Sequence, residues 1–467
     1  MSADPQSRDI LRLSLASVSV AWYVILFTFG LIGCIAARKR FRLRPRSPLS
    51  SAPASSVPGV SILRPLRGLD TNLYENLEST FIQEYPNYEI FFCVDDEDDQ
   101  ALSVVRDLMA KYPHVDARIA IGTSSCDIGS GLTVGVNPKV NNLMTGYREA
   151  AHDILWVLDS NVMVDRGTLA RAVDILSPPP SAPARPRRIG VVHHVPLAWV
   201  TNYALGSYVE EAFLNTNHAK MYIAINTVAV DSCVVGKSCL YRKSDLERVD
   251  GSLRRIPDAA SGGCQPGERG LAAFGRFLAE DNMIASALWH ELGLGHDMSC
   301  DVARNAVGDM SVLDYVARRI RWVRVRKHMV LAATLVEPLT ESVLVGFLAA
   351  AGLKYLTGLP VFLFLPVHFL VWLLVDLDVC ASLAGHPVPA DKRWQFIGAW
   401  ALRELLALPI WTAAILGNEV EWRGKRYQVM QNGEVQKAGN ERRGVLGRLW
   451  GFGRKSTDYY EPLEMRD

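Results

Sequence analysis

FFCVDDEDDQA, residues 91–101, carries the reading of this chain. Tyr88 to Val94 is an apolar run with the composition of a buried strand, and it stops abruptly in five consecutive acids, Asp95 to Asp99. Beyond them the period changes: Leu102, Val105, Leu108 and Met109 recur at three- and four-residue spacing, which predicts a helix. A calcium loop of the EF-hand type counted from Asp95 needs Gly at the sixth place and Glu at the twelfth, where Gln100 and Arg106 stand instead. Acids ahead of a helix also meet its positive N-terminal dipole, so part of this charge needs no ligand.

The same alternation extends on both sides. Residues 60–63, Ala117–Ile121, Ile154–Leu158 and 189–192 read as further strands, and Leu73–Phe81, 140–150 and 169–176 as further helices. Strand and helix in turn imply an α/β domain with a mostly parallel sheet covered on both faces. Ligands of such sheets bind beyond the carboxyl ends of the strands, where the acidic run lies.

Two more acidic clusters follow. In LWVLDSNVMVD, residues 155–165, an apolar strand delivers Asp159 and then Asn161; such a turn can present a carboxylate to a divalent cation that holds a diphosphate, or be an ordinary turn. In FLAEDNMIASAL, residues 277–288, Glu280 and Asp281 open an apolar helical pattern, as N-terminal caps or, for Asp281, as a general base. Then comes a basic helix, DYVARRIRWVRVRKH, residues 314–328, which sets Arg318, Arg321 and Trp322 on one face. That face reads as a lipid-headgroup contact or as a clamp for a leaving diphosphate. Lys139, in GVNPKVNN, is either a phosphate partner or an ordinary residue of a helix start.

Length and charge set the frame. The 467 residues allow about two to three domains. Fifty basic residues against 49 acids exclude the global basic excess of a nucleic-acid binder. Eight scattered cysteines without a CxxC pair read as reduced thiols. Residues 13–37 carry no charge and reach across a bilayer as a helix, an uncleaved anchor. Arg38, Lys39, Arg40, Arg42, Arg44 and Arg46 follow it, which places the chain beyond on the cytosolic side.

Residues 355–375 read as a second span. Residues 329–353, interrupted by Glu337, Pro338 and Glu341, and 394–416, interrupted by Arg403 and Glu404, are each a span facing protein or an interfacial or re-entrant segment. The basic residues of the tail, Arg423 to Lys455, favour the cytosol, so one of these weak segments is expected not to cross. The expected organisation is a tail at 1–12, the anchor, a basic and Pro/Ser-rich juncture at 38–57, a cytosolic domain at 58–328 with loop inserts at 178–188 and 257–270, a membrane block at 329–416 and a basic tail at 417–467.

An acid after one strand, DSN after another, ED at a helix start and RxxRW beside membrane helices resemble the D, D, D, (Q/R)xxRW pattern of membrane-bound, inverting GT-A glycosyltransferases. CVDDEDDQA, VDARIAIG, VGVNPKVNNLMTGY, ILWVLDSN, AEDNMIA, RRIRW and LVEPLTES closely resemble phrases of ceramide glucosyltransferases, over about residues 58–427. The resemblance implies a Rossmann-like GT-A domain with a mixed sheet between the anchor and the C-terminal membrane helices. It implies transfer of glucose from UDP-glucose to the primary hydroxyl of ceramide with inversion, a divalent cation (Mg²⁺ or Mn²⁺), contact with membrane lipids, no nucleic acid, and a Golgi membrane.

By the same resemblance Asp96 and Asp99 contact the nucleotide, Asp159 is the metal-linked acid, Asp281 the base, and Arg318, Arg321 and Trp322 the (Q/R)xxRW set. His193, beside His194 in VVHHVP, matches a histidine near the transfer site. DSN departs from DxD, so only Asp159 brings a charge there. The rival readings are a processive polysaccharide synthase, for which the spans are few, and an inactive lipid-binding scaffold, against which the intact acids argue.

Overall fold

The computed structural model describes residues 5–122, 135–181, 183, 185–201, 204–255, 269–417, 419–422, 425–430 and 434–437. Most of the insert expected at 257–270 lies outside them, as do Arg423, Arg442, Arg443, Arg448, Arg454 and Lys455 of the tail.

Eight strands form the central sheet: β1 (Val60–Pro65), β2 (Tyr88–Val94), β3 (Ala117–Ile121), β4 (Ile154–Leu158), β5 (Val162–Met163), β6 (Ile189–Val200), β7 (Ser238–Arg242) and β8 (Gly295–Val307). Their order is β3-β2-β1-β4-β7-β6-β8-β5. The first four pair in parallel, and β7 runs antiparallel to both β4 and β6. The sheet is therefore mixed, as the GT-A reading implies, with β6 and β8 also parallel and β5 antiparallel to β8, so that four of its seven strand pairs are parallel.

Alternate residues of the parallel half serve opposite cores. Ile62, Phe92 and Trp156 pack against helices α2 (Leu73–Phe81), α3 (Ala101–Lys111) and α5 (Thr168–Leu176). Leu63, Phe91 and Val157 pack against α4 (Pro138–Glu149) and α9 (Glu280–His290). Burial on both faces explains why these strands are continuous apolar runs. Between β6 and β7 come α6 (Leu205–Phe213) and α7 (Ala219–Val228), and the single turn α8 (Lys243–Leu246) follows β7.

The remaining helices are α1 (Pro5–Phe41), α10 (Val312–Lys327), α11 (Leu331–Val336), α12 (Ser342–Thr357), α13 (Val361–Ala384) and α14 (Arg393–Ile415). By length and apolarity residues 9–41, 361–384 and 393–415 are three candidate spans, and 331–340 with α12, bent by 65°, is a fourth. The span expected at 355–375 is corrected: Gly358, at φ +76°, and Pro360 break it into the end of α12 and the start of α13.

Contacts sort the candidates. Tyr23 Oη lies 3.1 Å from His368 Nδ1, and Arg38 bonds Asp378 at 2.5 Å, so α1 and α13 run side by side in the same direction. Gly352 packs on the backbone of Ala16 and Gly346 on the His368 ring, so α12 runs against both. Helix α14 differs: Lys327 Nζ of α10 donates to Gly417 O at 2.6 Å just past its C-terminal end, while Phe396 near its start shares an apolar cluster with Phe213 of α6. Both ends of α14 therefore lie beside the sheet domain. The buried Arg403 and Glu404 face protein, as one of the two sequence readings required.

Residues 419–437, expected as tail, form a small antiparallel sheet of β9 (Glu419–Trp422), β10 (Lys425–Val429) and β11 (Val435–Lys437). It rests on the sheet domain through Val420, Tyr427 and Val429 against Val136, Leu278 and Val325, and through Arg276 to Glu434 at 3.2 Å.

Candidate active site

A cleft opens over the sheet next to the carboxyl end of β4. Val157, Val191, Cys239 and Tyr241 form its apolar floor, and Lys139, Glu280 and Asp281 supply its charge. Two helix starts deliver these groups. Asn137 caps α4 by accepting from Lys139 N at 2.8 Å, with Pro138 at the first helical position. Its amide also donates to Glu280 Oε2 at 2.7 Å and to Phe277 O at 2.8 Å, which fixes the start of α9 against that of α4.

Lys139 is not an ordinary helix-start lysine. Its ammonium sits 2.8 Å from both Asp159 Oδ1 and Glu280 Oε1, bridging the second and third acidic clusters. Lys237 Nζ takes the other oxygen of Asp159 at 2.9 Å and reaches Asn161 Oδ1 at 3.1 Å. Burial opposes the charge on Lys139, but Asp159, Glu280 and Asp281 outweigh it and hold its pKa well above the ordinary range. Burial likewise works against an ionised Asp159, and the two lysines hold its pKa well below the carboxylate range.

Asp281 stands apart. Burial first, and the charge of Glu280 second, push its carboxyl up to about 6, while Lys139 pulls the other way. A carboxylate at that value is ionised near neutral pH yet remains a competent proton acceptor. Gly236 backs it closely, and a Cβ there would collide with the Asp281 carboxylate.

A divalent ion takes several hard oxygen ligands. Both Asp159 oxygens already face ammonium groups, and among the described residues no cluster of three or more His, Cys, Asp or Glu could hold a metal. Asp159 is here a carboxylate clamped between two lysines, and a divalent ion at it would take the oxygens of a bound diphosphate as its further ligands.

Other expected site residues lie elsewhere. Asp95 to Asp98 are exposed, where mutual repulsion is weak in water, about 1 kcal/mol for a pair at 4 Å. Asp96 accepts from Asp98 N at 3.1 Å. Asp99 accepts from Gly68 N at 2.9 Å and Ala101 N at 2.8 Å, clasping the loop after β1 to the start of α3. His193 is fully buried outside the cavity, its Nδ1 2.6 Å from Tyr222 Oη, and burial sends its pKa well below the ordinary imidazole value. Arg318 pairs with Glu210 at 3.0 Å and stacks on Trp322 at 4.7 Å, and neither they nor Arg321 line the cavity.

Sequence reasoning missed Lys237, because only the antiparallel pairing of β7 with β4, with Leu158 opposite Ser238, sets it across from Asp159. It also missed Arg64, fully buried and bonded to Val162 O at 3.1 Å and Ser160 O at 3.3 Å, which supports the DSN turn from beneath.

A strand-end site with a lysine-bridged acid pair and a separate poised carboxylate, in a mixed α/β domain joined to membrane-length helices, defines a membrane-associated glycosyltransferase of the GT-A type. The chain belongs to glycosyl transferase family 21, whose pattern matches residues 21–257 and 267–435. It is 38% identical to a ceramide glucosyltransferase of Komagataella phaffii over 89% of this chain and 90% of that one. It is 32% identical to a ceramide glucosyltransferase of Candida albicans over 91% and 98%. Among solved structures, a mannosyltransferase of Pyrobaculum calidifontis in complex with GDP-Man and Mn²⁺ aligns with a TM-score of 0.42 at 17% identity, over 84% of this chain and 99% of that one.

Proposed function

We propose that this protein transfers glucose from UDP-glucose to the primary hydroxyl of ceramide with inversion, releasing UDP, and that it does so at a cytosolic face, of the Golgi by family resemblance. The carrying observation is Asp281, a carboxylate raised to about 6 at the wall of an otherwise apolar cavity. Family 21 membership and the names of the relatives support the acceptor and the sugar.

In this reading the Asp281 carboxylate takes the proton of the ceramide hydroxyl as its oxygen bonds to the anomeric carbon. The bond from that carbon to the diphosphate oxygen breaks on the opposite face, and UDP leaves with the electron pair. Lys139 and Lys237 stand at the strand end where the diphosphate charge grows, and preorganised cations of this kind supply a large part of catalysis in such sites. Asp159 holds both ammonium groups in place. The membrane helices let a two-chain lipid present its head group without leaving the bilayer.

The test is transfer of labelled glucose from UDP-glucose by the purified protein, with ceramide and with diacylglycerol as acceptors, while UDP release is followed. Product with ceramide alone, and UDP release that depends on ceramide, is expected. UDP release that ignores ceramide, or none, would defeat the reading.

A further inference from the structure

Helix α9 carries Asp281 in its first turn but has no side-chain cap. Its N-cap position is Ala279, whose methyl group accepts nothing from the free N–H groups of the helix start. Helix α4, by contrast, is capped by Asn137. The first turn of α9, closed by Met283 N to Ala279 O at 3.1 Å, therefore depends on what holds the chain ahead of it.

The C-terminal sheet of β9, β10 and β11 holds that stretch at three successive residues. Arg276 pairs with Glu434 at 3.2 Å, Phe277 forms an antiparallel bridge with the same residue, and Leu278 packs against the buried Val420, Tyr427 and Val429. Val136, one residue before the cap of α4, packs into the same cluster. Asn137 N then donates to Gly275 O at 2.8 Å, and Gly135 lies so close to the Gly275 backbone that a Cβ there would meet its carbonyl. The third neighbour is α10: Val325 joins the cluster, and Arg324 donates to Glu419 O at 2.8 Å.

An ion pair as exposed as that of Arg276 with Glu434, at 43% and 38%, contributes little, so the buried cluster around Tyr427, itself 1% exposed, supplies most of the hold. Among the described residues, none of this sheet lines the cleft of Asp281. It touches no reacting atom, and its effect on the reaction runs through the segment it holds.

We propose that the C-terminal sheet is a positioning element for transfer, with Tyr427 at its centre: by holding residues 276–278 it sets the uncapped start of α9, and with it the Asp281 carboxylate. The proposal rests on Asp281 being the base. Lys139 sits on a capped helix and is clamped by Asp159, so the donor side depends less on this sheet.

The test compares the full chain with Tyr427→Ala in lipid nanodiscs, by amide hydrogen exchange and by glucosylceramide formation from UDP-glucose. Exchange at Met283 to Ala285 is expected to quicken about tenfold or more in the variant, while β2 and β4 keep their protection. The kcat should fall about 10- to 100-fold, with KM for UDP-glucose within about twofold of wild type. The rise of activity with pH should move below its wild-type midpoint, because a base loosened from its buried setting is better solvated. Tyr427→Phe, which keeps the packed ring, should lose less on every readout. If Tyr427→Ala does not fold, Glu434→Arg sets like charge against Arg276 without opening the cluster, and the same changes are expected at smaller size.

Unchanged exchange at Met283 to Ala285 beside faster exchange in β10 would overturn the proposal, as would faster exchange at both with wild-type kcat and pH midpoint. A loss confined to KM for UDP-glucose would overturn it in favour of a donor-side role. Failure of the underlying reading shows separately: the wild type would form no glucosylated lipid, while the exchange comparison would still report whether the sheet holds α9.

Discussion

Asp281 and Gly236 act as one unit. The glycine leaves the space that the carboxylate fills, so Gly236→Ala must displace the base. Displacement of a reacting group by about 1 Å costs on the order of 100-fold. Gly236→Ala is expected to lower kcat by about that factor while the purified protein keeps its thermal midpoint within a few degrees; full activity would remove Asp281 from the reaction. Of this site, Asp159, Asp281 and Lys139 were legible as residues, because acids at strand ends and helix starts leave a mark in the sequence. Their partners were not. Lys237 and Glu280 acquire their roles only when an antiparallel strand and a second helix start bring charges 2.8 to 2.9 Å apart. His193 and Asp99 stand in surroundings the sequence did not show, a buried tyrosine for the first and backbone N–H groups for the second.

At the scale of elements, strands buried on both faces were readable as apolar runs, and β2, β3 and β4 begin and end where the pattern does. Strand β8 was not, because Asp297, Asp301 and Arg304 interrupt its run; Asp301 is paired with Arg171 at 2.6 Å and Asp297 with Arg40 at 2.7 Å. Helices α6 and α7 escaped notice too, since they carry polar residues that meet membrane helices, as Lys220 meets Asp376 at 2.6 Å. Helix α1 approaches α7 closely at Gly33, where a Cβ would strike the backbone carbonyl of Lys220. Because backbone cannot yield as a side chain can, Gly33→Ala is expected to cost about 1–3 kcal/mol and to lower the thermal midpoint in detergent. An unchanged midpoint would show that the two helices do not pack as described.

For the whole molecule, the contacts leave α1, α12 and α13 as a bundle, with α14 lying along the base of the sheet domain. In the topology we propose, two crossings after residue 328 return the chain to the side it left, in keeping with the packing of β9, β10 and β11 on the sheet domain. The sequence led to the expectation that one weak segment does not cross, and on its contacts with α6 and α10 we propose that this segment is α14. An Asn-glycosylation acceptor placed in an extended loop at 358–360 should therefore be modified in microsomes, and one at 386–390 should not. The reverse pattern would contradict this topology.

Chemistry and membrane placement converge on one group. Burial and the charge of Glu280 hold the Asp281 pKa at about 6, so its active, ionised form is lost as pH falls through that value. An acid whose folded pKa is raised destabilises the fold where it is ionised, above about pH 6, and that penalty disappears as pH falls. The decisive measurement is glucosylceramide formation from UDP-glucose between pH 5 and 8, with wild type beside Asp281→Asn and thermal midpoints recorded at pH 7.5. Wild-type activity that rises through about pH 6 to a plateau, with a variant inactive at every pH and no less stable, is the predicted result. A variant that retains turnover with the same pH profile would contradict the account.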